Sequence, residues 1–227
     1  MPDTATLSQF ALMAFSSVFI LVDPFTTAPL FLAMTAGDPP ARRRLLAWRA
    51  ALAAFLTLTA FALLGNALLR LFALTLSAFR IAGGVLLFGI ALNMLRVREL
   101  REVQTPEEVQ EGAAKEDIAL IPLAIPMLSG PGAITTVIVL AQQSPSLAHT
   151  GVLLGAIGLT CALTYVILAS AVRVTRFLGQ TGLRVLSRLM GLLLAAIAAQ
   201  FVLTGMEETL LNLLRAWASL RCPPQPQ

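Results

Sequence analysis

The sequence predicts an all-α integral membrane protein with six transmembrane segments. They form two inverted three-helix repeats, in which helices 1 and 4 are discontinuous. Three observations carry this. The 227 residues are 57% hydrophobic and only 12% charged, with mean hydropathy +0.82. Soluble domains carry about 25% charged residues, so this chain cannot cover a water-facing surface. Six apolar stretches, near 7–35, 45–69, 72–95, 118–142, 147–171 and 185–206, each reach the roughly 20 residues a span needs. The third observation is a proline-marked break in the first and fourth stretches, at corresponding places of the two halves.

The first stretch is the one to justify first, because a carboxylate lies inside it. Leu21-Val22-Asp23-Pro24-Phe25-Thr26-Thr27-Ala28-Pro29 sits well within the run from Leu7 to Met34. Such a residue costs a few kcal/mol on insertion scales and faces a bundle interior or a polar cavity. Pro24 cannot continue a helix without losing a hydrogen bond, and Pro29 adds a second interruption. Asp followed by Pro is also how a helix begins, with Asp as N-cap and Pro at N1. A new half-helix therefore starts at Asp23-Pro24, and its freed backbone must be buried or line a cavity.

The second and third stretches are plain spans, and residues 1–98 form the first repeat. Residues 99–117 carry Glu99, Glu102, Glu107, Glu108, Glu111, Glu116 and Asp117 against Arg101 and Lys115. That is a solvated acidic linker. Residues 118–206 form the second repeat. Its opening stretch, Pro122-Leu123-Ala124-Ile125-Pro126-Met127-Leu128-Ser129-Gly130-Pro131-Gly132, holds three prolines in ten residues and cannot cross as one regular helix. Gly130 or Ser129 is expected to cap a half-helix with Pro131 at N1. In 207–227, Leu210, Leu213, Leu214 and Trp217 recur at helical spacing, which predicts a short amphipathic helix at the membrane interface before a proline-rich tail.

The halves repeat each other. Phe79-Arg80-Ile81-Ala82-Gly83-Gly84-Val85-Leu86-Leu87 matches Ser187-Arg188-Leu189-Met190-Gly191-Leu192-Leu193-Leu194 at a spacing of 108. Asp23-Pro24-Phe25-Thr26-Thr27 corresponds to Gly130-Pro131-Gly132-Ala133-Ile134-Thr135-Thr136. A repeat of three spans must lie upside down relative to its partner, and inverted repeats with paired broken helices are a transporter signature. Twelve of the sixteen Lys and Arg residues fall in the 1–2, 3–4 and 5–6 connections. The positive-inside rule makes these cytoplasmic and puts both termini on the extracytoplasmic side of the plasma membrane.

Other function classes lose support on the same residues. The net charge of +4 has its cause in topology, and no basic, aromatic-interleaved patch points to nucleic acid. The residues before Leu7 include no Lys or Arg, so the first segment is expected to be a retained span. Cys161 and Cys222 are unsuited to pair, His149 is the only histidine and is expected on an outer loop, and no metal-ligand spacing exists. Asp23 is the only clear acid deep in a span, so neither an acid–base pair nor a nucleophile–base pair is offered, and no enzyme or cofactor is expected. No phosphate-binding loop is present, so active transport would draw on a gradient.

At the two breaks, at Arg80-Ile81-Ala82-Gly83-Gly84, and at Ile121-Pro122-Leu123-Ala124-Ile125-Pro126-Met127-Leu128-Ser129-Gly130-Pro131-Gly132-Ala133-Ile134-Thr135-Thr136, the chain resembles the MarC family of bacterial inner-membrane proteins. The resemblance runs from about Leu7 to Met206. It implies six spans in an inverted repeat, and some members, the SnatA-like ones, move small neutral amino acids such as glycine and alanine. Many members follow the first Asp-Pro with Gly-Asn, where this chain has Thr26-Thr27.

The chemistry the residues allow agrees with such a solute. Two half-helix N-termini near mid-membrane offer free N–H groups and positive dipole ends. The second has Gly130 and Gly132 and no carboxylate, so it receives an anion; Asp23 receives a cation. The expected arrangement places a substrate carboxylate near Ser129 to Ala133 and its ammonium near Asp23. Hydroxyls come from Thr26, Thr27, Thr135 and Thr136, and Asn93 and Gln200 are candidates to line the path. Asp23 equally fits a buried helix cap, the threonines fit bonds to backbone carbonyls, and Asn93 and Gln200 fit inter-helix hydrogen bonds. Arg80 and Arg188 are expected to snorkel to the interface. Coupling to a proton at Asp23 or to sodium is permitted alike. The competing functions are a passive pore or exporter of another small solute, and a structural or regulatory membrane protein. The lipid bilayer is the one certain partner, and the sequence assigns no oligomeric state.

Overall fold

The structure, a computed structural model, describes residues 4–95, 128–144 and 146–221. The acidic linker, the first half of the fourth segment with Pro122 and Pro126, and the proline-rich tail lie outside the described residues. Every described element is helical: α1 (Thr4–Val22), α2 (Pro24–Met34), α3 (Pro40–Leu71), α4 (Leu76–Leu95), α5 (Pro131–Gln142), α6 (Leu147–Ala169) and α7 (Ala171–Arg221). Among the described residues, five runs are long and apolar enough to cross a membrane: Leu7–Met34, Pro40–Leu71, Leu76–Leu95, Leu147–Ala169 and Thr181–Leu214. Pro131–Gln142 is a shorter apolar helix. Leu64, Leu192 and Leu203 stand exposed on the outside of the bundle, as lipid-facing residues do. The chain is a multi-pass helical membrane protein.

The helices of each half pack chiefly on helices of the other. α3 lies against α6 and α4 against α7, while α1 and α2 lie on α6 and α7, and α5 lies on α3 and α4. Exchanging the halves turns the contact of α2 with α7 into that of α5 with α4. It likewise turns the contact of α2 with α6 into that of α5 with α3. The contacts made by the two halves therefore correspond in pairs, and the halves interlock. The main core runs from Phe10, Ala14, Val18 and Val22 of α1 through Phe31 to Leu58, Val137, Ile157 and Leu168.

The tightest contact is the antiparallel seam of α4 and α7, and it explains the Gly-rich repeat motif. Ser77, Gly84 and Ala91 recur every seven residues on α4, and Gly191, Ala198 and Gly205 do so on α7. A Cβ placed on Gly84 would lie 2.8 Å from the Ala198 carbonyl, and one on Gly205 2.8 Å from the Ser77 carbonyl. On Gly191 it would lie 3.3 Å from the Ala91 carbonyl. Backbone meets backbone here, which is how small residues let membrane helices associate. Neighbouring Gly83 faces the other way, where a Cβ would collide with Thr135 of α5. The Gly-Gly pair thus lets α4 wedge between α5 and α7.

Three sequence expectations are corrected. Arg80 does not snorkel; only 4% exposed, it points inward and its Nη1 donates to the Glu208 carboxylate of α7. Arg188, its repeat counterpart, is exposed as expected. The segment from Glu207 is not a separate short helix, because α7 continues unbroken to Arg221. His149 is not on a loop: it lies in the first turn of α6, buried, with Nδ1 2.9 Å from Ser146 Oγ and its ring edge-on to Phe10. The 5–6 connection is likewise helical from Ala171, and the chain turns at Gly179, whose φ of 62° a side chain would disfavour.

Candidate functional site

The first break is built by a single residue. Asp23 adopts φ 41°, ψ 66°, the left-handed conformation that Asp tolerates better than most side chains. Its N–H donates to Phe19 O at 3.1 Å, which closes α1 in the manner of a left-handed C-terminal cap. Its carboxylate Oδ1 accepts from the Thr26 N–H at 3.3 Å, opening α2 as N-cap with Pro24 at N1. Its carbonyl accepts from both the Thr27 N–H and Thr27 Oγ1. The expected half-helix is therefore present. Asp23 Oδ2 and Thr26 Oγ1, both shielded from solvent, make no hydrogen bond of ordinary geometry, and the Thr26 hydroxyl lies close to the carboxylate.

The second break has the same logic with different chemistry. Gly130 precedes α5 with Pro131 at N1, and it offers no side chain to cap the helix. The N–H groups of Gly132 and Ala133 consequently have no partner within α5. Ile134 N–H bonds Gly130 O at 3.0 Å, and Thr135 Oγ1 bonds Pro131 O at 2.8 Å. Ser129 and Thr136 are each 1% exposed, and their hydroxyls are unpartnered. Among the described residues, eight shielded side-chain polar atoms lack a partner, and four of them belong to these two breaks. An unpaired buried polar group costs about 1–3 kcal/mol, so their concentration here needs a reason.

The breaks are neighbours in space. A Cβ built on Gly132 would lie 3.4 Å from Leu21 Cδ2 and 2.1 Å from Leu87 Cδ2, so the end of α1 and the start of α5 meet over α4. Glycine at 132 keeps that approach open. The end of the first break thus packs against the start of the second, with an unpartnered Asp23 oxygen at one and the unpartnered hydroxyls of Ser129 and Thr136 at the other.

The expected site residues divide accordingly. Asp23, Thr26, Ser129 and Thr136 keep free polar atoms, and Gly130 and Gly132 leave the α5 terminus bare. The hydroxyls of Thr27 and Thr135 are spent on backbone carbonyls. Pro29 sits inside α2 and interrupts its ladder, and Pro126 lies outside the described residues. Asn93 and Gln200 are exposed on α4 and α7, each two residues beyond a seam alanine and so about 200° round the helix. Gln200 Nε2 donates to Thr204 of its own helix at 3.2 Å. Neither amide shares the face of its helix that is turned to the seam.

Two polar links escaped the sequence reading. The part-buried Arg80–Glu208 pair joins residues 128 apart. Gln142 at the end of α5 donates to Asn66 Oδ1 of α3, 76 residues away. A lone arginine near a span's end gave no signal of an inward partner. At the other end of the bundle, Arg43 Nη2 donates to Thr35 O at 2.9 Å, answering a carbonyl left free where α2 stops.

Comparison with known proteins agrees with this architecture. The model of the MarC family integral membrane protein matches residues 8–210. UPF0056 membrane protein MJ1677 of Methanocaldococcus jannaschii is 38% identical over 89% of this chain and 98% of its own. UPF0056 membrane protein YvbG of Bacillus subtilis is 35% identical over 88% and 95%. UPF0056 membrane protein YhcE of Escherichia coli is 34% identical over 88% and 93%. No solved structure matches the chain. With the family model spanning both breaks and the α4–α7 seam, the chain belongs to the MarC family of integral membrane proteins.

Proposed function

We propose that the protein is a secondary transporter of small solutes, that its substrates are neutral amino acids of the glycine and alanine class, and that an ion gradient drives it. The observation that carries this reading is the pair of adjacent helix breaks with unpaired groups of opposite character. Asp23 Oδ2 is a free acceptor that suits an ammonium, while the bare α5 N-terminus with Ser129 and Thr136 suits a carboxylate. A zwitterion has one of each, a few ångströms apart. Inverted repeats whose broken helices meet are the architecture in which alternating access is known to work. The protein would sit in the plasma membrane with both termini extracytoplasmic, by the distribution of Lys and Arg.

The test is uptake of labelled glycine, alanine, serine and threonine into proteoliposomes, with and without proton and sodium gradients. Saturable, gradient-dependent uptake by the wild type and its loss in Asp23→Asn is expected. The responding gradient names the coupling ion. If folded protein takes up none of the four, the amino acid assignment falls; if Asp23→Asn transports normally, the placement of the ammonium falls.

A further inference from the structure

α6 takes no part in either break, yet it carries an unexplained hydroxyl at their depth. Thr160 is 0% exposed and its Oγ1 has no partner. Of the other buried threonines, only Thr136 at the second break behaves so. Thr27, Thr35, Thr135 and Thr164 each donate to the carbonyl four residues earlier, at 3.0, 2.7, 2.8 and 2.8 Å. That is how a membrane helix ordinarily satisfies a hydroxyl. Thr164 even uses the carbonyl of Thr160 itself. The threonines with shielded, unpartnered hydroxyls are Thr26, Thr59, Thr136 and Thr160, and two of these are break residues.

The level of Thr160 follows from helix register. The rings of Phe10 and His149 meet at a centroid distance of 5.2 Å. His149 lies in the first turn of α6, so α1 can pack along α6 only by running in the same direction. Eleven residues on from that contact are Leu21 in α1 and Thr160 in α6, each about 16 Å further along. Leu21 is the residue that reaches Gly132 at the second break. Val22, Ile157 and Cys161 belong to the same continuous core as Leu128 and Ala133, so this stretch of α6 and the breaks pack into one core.

We infer that Thr160 forms a third wall of the solute site, its hydroxyl hydrogen-bonding a polar group of the bound solute opposite the two helix breaks. This rests on the reading of the breaks as the solute site. An unpaired hydroxyl in a dry core is unfavourable; one that meets a passing polar solute is paired whenever the site is filled. The ligand class is the small neutral amino acid proposed above, whose carboxylate oxygens can accept from the Thr160 hydroxyl as well as from the groups at the α5 N-terminus.

The experiment is cysteine accessibility in full-length protein in liposomes, in a Cys161→Ser, Cys222→Ser background. Single cysteines replace Thr160, Ser129 and Val18, the last a near-isosteric change at a core position that is also 0% exposed. A small water-soluble methanethiosulfonate reagent is the probe, because a core position reacts only through local opening whereas a pathway position meets water as the transporter cycles. The Thr160→Cys protein is expected to react at least about tenfold faster than the Val18→Cys protein. Equal rates for these two, with Ser129→Cys reacting fast, would overturn the role of Thr160 alone. Equal and slow rates for all three would overturn it together with the reading of the breaks.

Discussion

The seam of α4 and α7 allows a substitution test with an internal control. Gly84 and Gly89 lie on the same helix, but a Cβ on Gly89 would meet nothing within 4 Å. On Gly84 it would lie 2.7 Å from Val202 Cγ2, 2.8 Å from the Ala198 carbonyl and 3.1 Å from the Val202 nitrogen. The valine methyl can rotate away; the two backbone atoms cannot. Ordinary contact begins near 3.4 Å, so α4 and α7 must part by at least 0.6 Å for alanine to fit at 84. Close packing is lost along the seam on both sides, and overpacking of this kind costs about 1–3 kcal/mol. Gly89→Ala, by contrast, gains up to about 1 kcal/mol from helix propensity. The assay is equilibrium unfolding in mixed micelles, followed by circular dichroism. Gly84→Ala is expected to fall below Gly89→Ala by about 2 kcal/mol or more. If the two variants agree within about 0.5 kcal/mol, the ordinary scatter of surface substitutions, the seam is not backbone-tight and the reasoning fails.

Two further substitutions read the polar interior. Glu208→Ala leaves the Arg80 guanidinium, whose side chain is 5% exposed, without its partner. Breaking a buried pair from one side costs about 3–5 kcal/mol, and the 38% exposure of Glu208 argues for the lower end. The double change Arg80→Leu, Glu208→Leu recovers most of that loss in the same unfolding assay; a double variant as unstable as Glu208→Ala would contradict it. At the first break, Asp23→Asn keeps a capping side chain and the left-handed tolerance, so its melting temperature stays near that of the wild type. Asp23→Ala loses the cap, about 1 kcal/mol, and adds left-handed strain of about 1–2 kcal/mol, so it melts measurably lower. Equal melting of the two would show that the break does not depend on the side chain.

How much of this was legible in the sequence depended on how local the physics is. Capping is decided within four residues, so Asp23-Pro24 and Gly130-Pro131 could be read as helix starts from the chain alone. Span length and the repeat are compositional, and they too could be read directly. Arg80 could not. Nothing within a turn or two of it marks an inward partner, and Glu208 falls in the stretch whose Leu210, Leu213, Leu214 and Trp217 spacing predicts a separate interfacial helix. α7 continues instead, since no Gly or Pro interrupts it between Met206 and Arg221. The four break threonines also looked equivalent in sequence. Only hydroxyl geometry separates Thr27 and Thr135, spent on carbonyls, from Thr26 and Thr136. Thr160 stood in an apolar helix with no pattern to mark it, and its depth emerges from the packing of α1 on α6.

The asymmetry between the breaks has an electrostatic consequence that bears on the proposed solute. Both α2 and α5 begin at the breaks, so two helix N-termini, each equivalent to roughly half a positive charge, lie side by side. Left alone they would repel one another and attract an anion. One carboxylate, Asp23, is supplied, so an ionised Asp23 sets a negative group at one break against the positive N-terminus of α5 at the other. A site with one group of each sign at membrane depth is matched to a solute that is itself neutral overall but charged at both ends. Replacing Asp23 by Asn removes the negative charge and leaves the capping geometry, so the pair of breaks becomes more positive. The variant is then expected to lose affinity for glycine and gain it for a carboxylate without an ammonium, with propionate as the probe. Competition of propionate against bound labelled glycine, compared between wild type and Asp23→Asn, measures this. Unchanged relative affinity would mean that the two dipole ends do not act on the solute, and the charge-matching argument would fail even if transport itself is found.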